Sequence, residues 1–385
     1  MKRLFTSTLL ILFFCYFRLA AQTPAQTVVL KKLLQTKLDS LQKANGFPGA
    51  TFAAVLPNGE KIAIATGIAD SLEHTPMDPN SRMLSGSNGK TLFAASAMVL
   101  SEQGLFGLDD KIEKFIGHET WFDRLPNARN ITMRMLLNHT SGIEEYLEQG
   151  DFMQRLKSNP SHRWEPVELL AYVFDREPLF EAGTKFNYAD ANYILFGYIV
   201  EKISGDKMYD LIATHVIAPY ALSATEPSEK RKYNNLAVGY VRSGGPFPVE
   251  GAMVRNGELI LNPQFEWAGG GFISSASDLA LWAKAYYEFK ALSPDTREQM
   301  RKGVTANTGK NHQYGLAMQI RPGGEAGVSY GHSGWFPGYV TDAAYFPDLD
   351  LAVAIQFNTD NFHLLKRSTE AYLLDMAKTV ATMRK

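Results

Sequence analysis

Strand-like segments stand at both ends of this 385-residue chain, and the segments with helical periodicity lie between them. Near the start, residues 49–56 and 61–69 are mainly apolar and flank a Pro-Asn-Gly turn. Near the end, residues 339–346 and 351–357 flank a Pro-Asp-Leu-Asp turn in the same way. A sheet in such a chain has to be assembled from both ends, with the helical region inserted into it.

The predicted fold class is α/β (α+β), with an antiparallel sheet formed from both chain ends, flanked by helices, and an inserted, mostly helical lobe. We predict one domain over residues 22–385, in which the sheet lobe takes about 22–85 and 270–385 and the helical lobe about 86–269. The clearest helical patterns cover 28–45, 164–174, 193–203, 278–289 and 363–384. Ser277 is the expected N-cap of the fourth of these helices.

The first residues are typical of a cleaved signal peptide. A basic start is followed by an apolar stretch at 4–17 and by small residues before Gln22. Because a stretch of about 14 residues is short for a bilayer span, we expect residues 1–21 to be removed and the protein to be secreted or periplasmic. The single cysteine, Cys15, lies in this segment, and no stable membrane anchor is expected after cleavage.

Charge and motif content exclude several classes of protein. The formal net charge is −1 and no long basic run occurs, so no nucleic-acid partner is expected. The histidines form no metal-ligand spacing, and neither a phosphate-binding loop nor a dinucleotide fingerprint is present. We therefore predict no metal and no cofactor, and a small-molecule or peptide substrate as the partner.

The most informative motif is a serine followed three residues later by a lysine, Ser87 and Lys90, before an apolar run at 91–100. A serine hydroxyl needs a neighbouring base to become a nucleophile, and residues i and i+3 share one face of a helix. A lysine in a partly dry pocket can lose its proton and serve as that base. We therefore predict an acyl-transfer enzyme, and we interpret the same spacing after Ser40 and after Ser204 as chance.

Two later segments could serve the same chemistry. Tyr188 could shuttle a proton if its oxygen lies beside Lys90, and the alternative is an ordinary helix start that Asp190 caps. The other segment consists of His332, Ser333, Gly334 and Trp335. A backbone N–H of this segment could stabilise a tetrahedral oxyanion, and the alternative is a glycine-rich turn into a strand.

These three segments, in this order, resemble those of the penicillin-recognising serine hydrolases. The group includes class C β-lactamases, D-alanyl-D-alanine carboxypeptidases, D-aminopeptidases and related esterases. The resemblance covers nearly all of the chain after residue 21. It implies a β-lactamase/transpeptidase-like fold and a reaction that passes through an acyl-enzyme.

The resemblance also implies a role for each residue of the motifs. Ser87 would be the nucleophile, Lys90 would orient it and take part in proton removal, and Tyr188 would be the proton shuttle. The residues that stand where the family has Lys-Thr-Gly or His-x-Gly, and would contact substrate, are His332, Ser333 and Gly334. The backbone N–H groups of Ser87 and Trp335 would form the oxyanion hole.

Two positions depart from the family pattern. Asp190 replaces the usual Asn, and a carboxylate only accepts hydrogen bonds, whereas an amide also donates them. Asp190 would favour the charged form of Lys90 and so shift proton removal towards Tyr188. His332 replaces the lysine of class C β-lactamases and would attract a substrate carboxylate only when protonated or as a neutral donor. Both departures argue against efficient β-lactam hydrolysis.

The resulting hypothesis is a serine hydrolase that acts on D-amino-acid peptides or related amides through a Ser87 acyl-enzyme. Its favoured form is a D-alanyl-D-alanine carboxypeptidase acting on cell-wall peptides. A small-ester hydrolase and a class C-type β-lactamase are alternatives with the same site, and a catalytically silent binding protein is an alternative of another class. If His332 must be charged, activity on carboxylate-bearing substrates should change between about pH 5.5 and 7.5.

Overall fold

The computed structural model of the chain describes residues 24–383. The predicted signal segment, residues 1–21 with Cys15, lies outside the described residues. Within them, no helix combines the length and the apolar character needed to cross a membrane.

The described part of the chain contains sixteen strands, of which nine form the main sheet. In chain order the strands are β1 (Gly49–Val55), β2 (Lys61–Asp70), β3 (Thr75–Pro76), β4 (Arg82–Leu84), β5 (Glu226–Pro227), β6 (Tyr240–Val241), β7 (Gly251–Ala252), β8 (Val254–Arg255), β9 (Glu258–Leu259), β10 (Phe272–Ser275), β11 (Val304–Thr305), β12 (Gln313–Tyr314), β13 (Gln319–Pro322), β14 (Val328–Phe336), β15 (Tyr339–Phe346) and β16 (Leu351–Phe357).

The main sheet has the order β11-β12-β13-β14-β15-β16-β1-β2-β3 and is antiparallel throughout. The first and last hairpins of the chain meet in its middle, where β1 pairs with β16 and Ala53 lies opposite Ala354. A three-stranded sheet, β4-β10-β5, and two short two-stranded ribbons complete the strand structure. This topology confirms the predicted fold class, with a sheet built from both chain ends.

Twelve α-helices occur among the described residues. They are α1 (Pro24–Asn45), α2 (Lys90–Glu102), α3 (Glu113–Ile116), α4 (Met133–Leu137), α5 (Phe152–Ser158), α6 (Pro166–Leu170), α7 (Asp190–Ser204), α8 (Met208–Ile212), α9 (Ala276–Glu288), α10 (Pro294–Arg301), α11 (Phe362–Leu365) and α12 (Thr369–Thr382). Nine of them, α2 to α10, lie between the first and last strands of the main sheet in the sequence.

Helices cover the main sheet on both faces. Along β1, Phe52 and Ala54 pack with α1 and α12 on one face, whereas Ala53 and Val55 pack with α9 on the other. Successive side chains of a strand point to opposite faces, so a strand that is covered on both faces has to be apolar throughout. Six of the seven residues Gly-Ala-Thr-Phe-Ala-Ala-Val meet this requirement, the Thr51 hydroxyl donates to Gln356 Oε1 at 3.3 Å, and every residue of β1 is buried.

The helical region meets the main sheet at one end of β14. Strand β13 pairs only with residues 328–331 of β14. Residues 332–336 of β14 therefore have no strand partner on the edge that faces β13. A 3₁₀ turn, Gly86–Gly89, packs against this free stretch of edge and leads directly into α2. Because α2 is buried on nearly all sides, it fixes this turn rigidly between the sheet and the helices.

Three helix predictions need correction. The pattern at 164–174 yields only the five residues of α6 and a further 3₁₀ turn, and the chain then turns at Asp175 with φ 59°. The N-cap of α9 is Ser275 and not Ser277, because the Ser275 hydroxyl accepts the Asp278 N–H at 3.2 Å. The pattern at 363–384 is broken at Lys366, which adopts φ 60° between α11 and α12.

Candidate active site

Ser87 lies in the 3₁₀ turn Gly86–Gly89, and Lys90 is the first residue of α2. In a 3₁₀ turn, side chains at i and i+3 are nearly eclipsed, which brings this serine and lysine together. The Lys90 ammonium nitrogen donates to Ser87 Oγ at 3.0 Å, although the Lys90 side chain is fully buried. The predicted pairing of the two residues is therefore present.

Hydrogen bonds to two strands hold the turn that carries Ser87. Asn88 Nδ2 donates to Thr341 Oγ1 of β15 at 2.7 Å, and the Thr341 hydroxyl donates in turn to the Ser85 carbonyl at 2.7 Å. The Ser85 hydroxyl donates to the Phe272 carbonyl of β10 at 2.7 Å. All of these groups are buried, so the position of the serine is set by bonds shielded from water.

The Lys90 ammonium group has an acceptor for each of its three N–H bonds. Besides Ser87 Oγ, it donates to Asp190 Oδ1 at 2.6 Å and to the Gly269 carbonyl. Three acceptors, one of them a carboxylate, match a protonated amine and leave no lone pair on nitrogen to receive the serine proton. In this arrangement Lys90 orients Ser87 and supplies positive charge, and proton removal falls to another group.

Tyr188 is placed to be that group. Its ring lies 4.9 Å from the Lys90 nitrogen, and its buried hydroxyl has no hydrogen bond of good geometry within the described residues. Burial and the Asp190 carboxylate raise the pKa of Tyr188 well above 10, and the nearby Ser87 hydroxyl opposes this rise. Tyr188 is therefore a phenol in the resting site and can relay a proton by accepting one while it donates another.

A buried histidine supports Tyr188. The His139 ring stacks on the Tyr188 ring with centroids 4.1 Å apart, and its Nδ1 accepts the Ala189 N–H at 3.2 Å. Burial, followed by the Lys90 charge, lowers the pKa of His139 well below 6.5, so the ring is neutral. Sequence reasoning did not assign His139 to the site, although its Asn-His-Thr-Ser-Gly segment is a polar break in apolar surroundings.

The turn that carries Ser87 touches the free edge of β14 through glycines. A Cβ atom at Gly86 would lie 2.5 Å from the Trp335 nitrogen, and a Cβ atom at Gly334 would overlap the Ser85 carbonyl oxygen. Only glycine allows two backbones to approach this closely. Ser87 and Trp335 also line the same pocket, where the resemblance implies that their backbone N–H groups form an oxyanion hole. That role stays a prediction.

His332 and Ser333 do not line the pocket of Ser87. His332 is buried, its Nδ1 donates to the Ser333 carbonyl, and its Nε2 therefore accepts the Tyr314 hydroxyl at 2.7 Å. Burial and the Lys90 charge lower the pKa of His332 well below 6.5. This shift opposes a charged His332 near neutral pH, and the contact of His332 with a substrate carboxylate stays a prediction. Ser333 instead bonds with Gln319 through its hydroxyl and its N–H.

The pocket beside Ser87 has a volume of about 240 Å³ and is rich in carboxyl groups. The aromatic side chains that line it are Tyr146, Tyr188, Phe247, Phe265, Trp335 and Phe336. Its acidic side chains are Glu145, Asp190 and Glu266. No arginine, lysine or histidine side chain is among the lining residues that the structure describes, because the Lys90 ammonium lies behind Ser87 and Asp190.

The surroundings raise the pKa of two of these carboxyls. Burial, followed by the Asp190 charge, raises the pKa of Glu145 from 4.5 to about 8. The same two causes raise the pKa of Glu266 to about 8. The sequence did not assign either glutamate to the site, because neither belongs to a motif with a recognisable spacing. Over residues 24–383, no group of three or more acidic, histidine or cysteine side chains is arranged to hold a metal ion.

Comparison with known proteins agrees with this geometry. The sequence profile of the Beta-lactamase family matches residues 34–377. Penicillin-binding protein 4* of Bacillus subtilis is 28% identical over 331 residues, which span 81% of this chain and 68% of that protein. D-aminopeptidase of Brucella anthropi is 22% identical over 81% of this chain and 56% of its own length.

A solved structure has the same fold. The D-stereospecific amidohydrolase from Streptomyces sp. superposes with a TM-score of 0.74 at 26% identity, over 87% of this chain and 97% of that one. The family profile covers most of the sequence, and Lys90 donates a hydrogen bond to Ser87 Oγ. The protein therefore belongs to the Beta-lactamase family and is a serine hydrolase.

Proposed function

We propose that this serine hydrolase cleaves the amide bond of small D-amino-acid amides or short D-amino-acid peptides, through an acyl-enzyme on Ser87. The observation that carries the proposal is the contact between Ser87 and the buried, charged Lys90, with Tyr188 beside both. The D-amino-acid preference rests on the names of similar proteins, a D-aminopeptidase and a D-stereospecific amidohydrolase. The pocket of about 240 Å³ favours a small acyl group.

In the first half of the proposed reaction, Ser87 Oγ attacks the carbonyl carbon of the amide. The serine proton passes to the Tyr188 oxygen while the Tyr188 proton passes to the leaving nitrogen, so the C–N bond breaks and a neutral amine leaves. Lys90 remains charged and stabilises the negative charge that develops on Ser87 Oγ. The N–H groups of Ser87 and Trp335 hold the oxyanion.

In the second half, water attacks the acyl carbon. A water proton passes to Tyr188 while the Tyr188 proton returns to Ser87 Oγ, which releases the carboxylic acid and restores the site. Neither half needs a metal or a cofactor. Both halves use Tyr188 as a phenol, which is consistent with its raised pKa.

The lining of the pocket favours an amidase or aminopeptidase over the D-alanyl-D-alanine carboxypeptidase that we expected from the sequence. A carboxypeptidase has to bind the terminal carboxylate of its substrate, which calls for a cation or several free N–H donors. Among the described residues, Lys90 is paired with Asp190 and His332 is neutral and outside the pocket. Because Asp190 is already paired with Lys90, no cation among the lining residues that the structure describes is left to hold a substrate carboxylate.

The experiment that tests the proposal compares three substrates on the purified protein. We expect release of ammonia from D-alaninamide, with much slower cleavage of N-acetyl-D-alanyl-D-alanine and of a penicillin. Ser87→Ala should lower the rate by about 10³-fold or more. Ser40→Ala is the matched control, because Ser40 also precedes a lysine by three residues but lies exposed on α1 and bonds to the Thr36 carbonyl.

Three other outcomes would replace the proposal. Faster cleavage of N-acetyl-D-alanyl-D-alanine would restore the carboxypeptidase hypothesis, and turnover of short acyl esters alone would make the protein an esterase. No turnover of amide, peptide, ester or penicillin would leave the catalytically silent binding protein. An amide turnover that Ser87→Ala leaves unchanged would refute the assignment of the nucleophile.

We also propose that the protein is exported after cleavage near residue 21. The support is the basic start and the apolar stretch at 4–17, followed by small residues. N-terminal sequencing of the protein recovered outside the cytoplasm of an expression host should begin close to Gln22. A start at Met1 in that fraction would contradict the proposal.

A further inference from the structure

Glu266 carries a polar group in the pocket that the proposed reaction does not use. It lines the same pocket as Ser87, and only 5% of its surface is exposed. Its Oε2 is buried and has no hydrogen-bond partner in the part of the chain that the structure describes. A buried polar atom without a partner costs free energy, which an incoming N–H group would recover.

The other two carboxyls of the pocket are already in use. Asp190 is the counter-ion of Lys90, at 2.6 Å. Glu145 accepts the Asp190 backbone N–H with Oε2 at 2.6 Å and the Leu147 backbone N–H with Oε1 at 3.2 Å. Glu266 is therefore the carboxyl with an acceptor atom free for a ligand.

Glu266 lies close to the reacting serine. A Cβ atom at Gly270 would lie 2.5 Å from Glu266 Oε1 and closer still to the carbonyl oxygen of Gly86, the residue before Ser87. The next residue, Trp267, adopts φ 31°, a strained conformation for a bulky side chain that persists only where the surroundings impose it. The fold therefore holds the Glu266 carboxyl in one place beside the acyl site.

We propose that Glu266 is the counter-ion for a free α-amine on the residue whose carbonyl is bonded to Ser87. This inference rests on the proposed function and narrows it to substrates with an unblocked N-terminal residue. In such an acyl group the amine is separated from the carbonyl carbon by one carbon, so it stays within the same small pocket. An ammonium group supplies both an N–H donor for Oε2 and a positive charge for the carboxylate.

The electrostatics of the empty pocket agree with this assignment. Burial and the Asp190 charge raise the pKa of Glu266 to about 8, so without a ligand cation the group is neutral at pH 7. A bound ammonium stabilises the ionised form in the same way that Lys90 stabilises Asp190. An acylated substrate nitrogen keeps one N–H but carries no charge and adds bulk, so it loses the attraction to the Glu266 carboxylate.

The test uses D-alanine p-nitroanilide and its N-acetyl derivative as substrates of the full-length protein. We expect kcat/KM of the wild type to be at least about tenfold higher for the free amine, and Glu266→Gln to remove most of this preference through a higher KM. Glu266→Asp keeps the charge and should retain more of the preference than Glu266→Gln. Glu148→Gln is the matched control, because Glu148 is an exposed glutamate near Glu145 that does not line the pocket.

Several results would overturn the inference. One is a wild type that cleaves both anilides equally well, and another is a preference that Glu266→Gln leaves unchanged. Labelling of Ser87 by a fluorophosphonate, followed by mass spectrometry, shows that the variant site is folded. If Glu266→Gln is not labelled, Glu266→Asp takes its place in the comparison. Glu266→Asp must then show a weaker preference for the free amine than the wild type shows.

A binding measurement separates failure of this inference from failure of the proposed function. If the wild type cleaves neither anilide, the proposed function fails, and thermal shifts with D-alaninamide and N-acetyl-D-alaninamide decide the inference alone. A shift with the free amine that is lost in Glu266→Gln supports the amine site. Equal shifts with both ligands, or no shift in the wild type, overturn it.

Discussion

At the scale of single residues, two buried tyrosines near Lys90 differ in what their hydroxyl groups contact. The Lys90 nitrogen lies 4.9 Å from the Tyr188 ring and 5.3 Å from the Tyr193 ring. The Tyr193 hydroxyl donates to the Leu137 carbonyl at 2.8 Å, whereas the Tyr188 hydroxyl has no good partner among the described residues and faces Ser87. Tyr193 therefore contributes to stability, and Tyr188 is free for chemistry.

This difference gives a paired prediction. Tyr188→Phe should lower kcat on D-alaninamide by about 10²- to 10⁴-fold and leave the free energy of unfolding nearly unchanged. Tyr193→Phe should lower the free energy of unfolding by about 1 kcal/mol, since it removes a buried hydrogen bond, with a small effect on kcat. Steady-state kinetics and urea unfolding of both variants check the pair. Equal losses of activity in the two would contradict the relay role of Tyr188.

The residue scale also separates what the sequence can predict from what it cannot. The spacing of Ser87 and Lys90 is local, and a single turn places the two side chains together. Glu145 and Glu266 reach the same pocket from segments 121 positions apart in the sequence, and neither has a spacing that marks it. The buried His332 also accepts a hydrogen bond from the Tyr314 hydroxyl. Tyr314 lies in β12, a strand of only two residues that was not predicted.

At the scale of elements, long apolar segments are the predictable ones. The strands predicted at 339–346 and 351–357 match β15 and β16 residue for residue, because a fully buried strand has to be apolar on both faces. Two-residue strands such as β11 and β12 bury too little to leave a pattern. Segments such as 164–174 lose helical turns because tertiary contacts and backbone turns override a local periodicity.

The contact between the Ser87 turn and β14 makes a prediction about this pair of elements. Gly334→Ala should lower kcat by about 10²- to 10³-fold, because the added methyl group would overlap the Ser85 carbonyl and push the turn away from the Trp335 N–H. Gly107→Ala is the control, since a Cβ atom there would lie at an ordinary distance of 3.5 Å from Asp110. Steady-state kinetics of both variants provide the measurement. An active Gly334→Ala enzyme would refute the proposed oxyanion hole.

At the scale of the whole molecule, the site draws on segments that only the complete fold brings together. Ser87 and Lys90 come from the start of α2, Tyr188 from the start of α7, and Trp335 from β14. Their side chains share one buried region with neutral histidines and protonated glutamates. When the chain unfolds, these groups enter water and their pKa values return to the ordinary ones. The site should therefore dominate the pH dependence of global stability near neutrality.

The direction of that dependence follows from the shifts. The pKa of Glu145 and of Glu266 is about 8 in the folded protein, and the ordinary value of 4.5 applies to the unfolded chain. Between pH 4.5 and pH 8 the native state therefore holds protons that the unfolded state has lost. Each such carboxyl lowers the free energy of unfolding by roughly 1.4 kcal/mol per pH unit as pH rises through this window. The histidines act oppositely, because a lowered pKa for His139 and His332 removes stability as pH falls below 6.5.

We therefore expect stability to fall from about pH 7.5 to pH 8.5, where the histidines of the unfolded chain have lost nearly all their protons and the two carboxyls still titrate in the folded protein. Urea unfolding at fixed ionic strength should show this fall in the wild type. It should be about half as steep in Glu266→Gln, since one of the two carboxyls is removed. Glu148→Gln removes an exposed carboxyl and should reproduce the wild-type slope. A wild-type stability that is constant or rises over this range would show that neither glutamate is protonated in the native pocket, and with it the electrostatic support for amine binding by Glu266 would be lost.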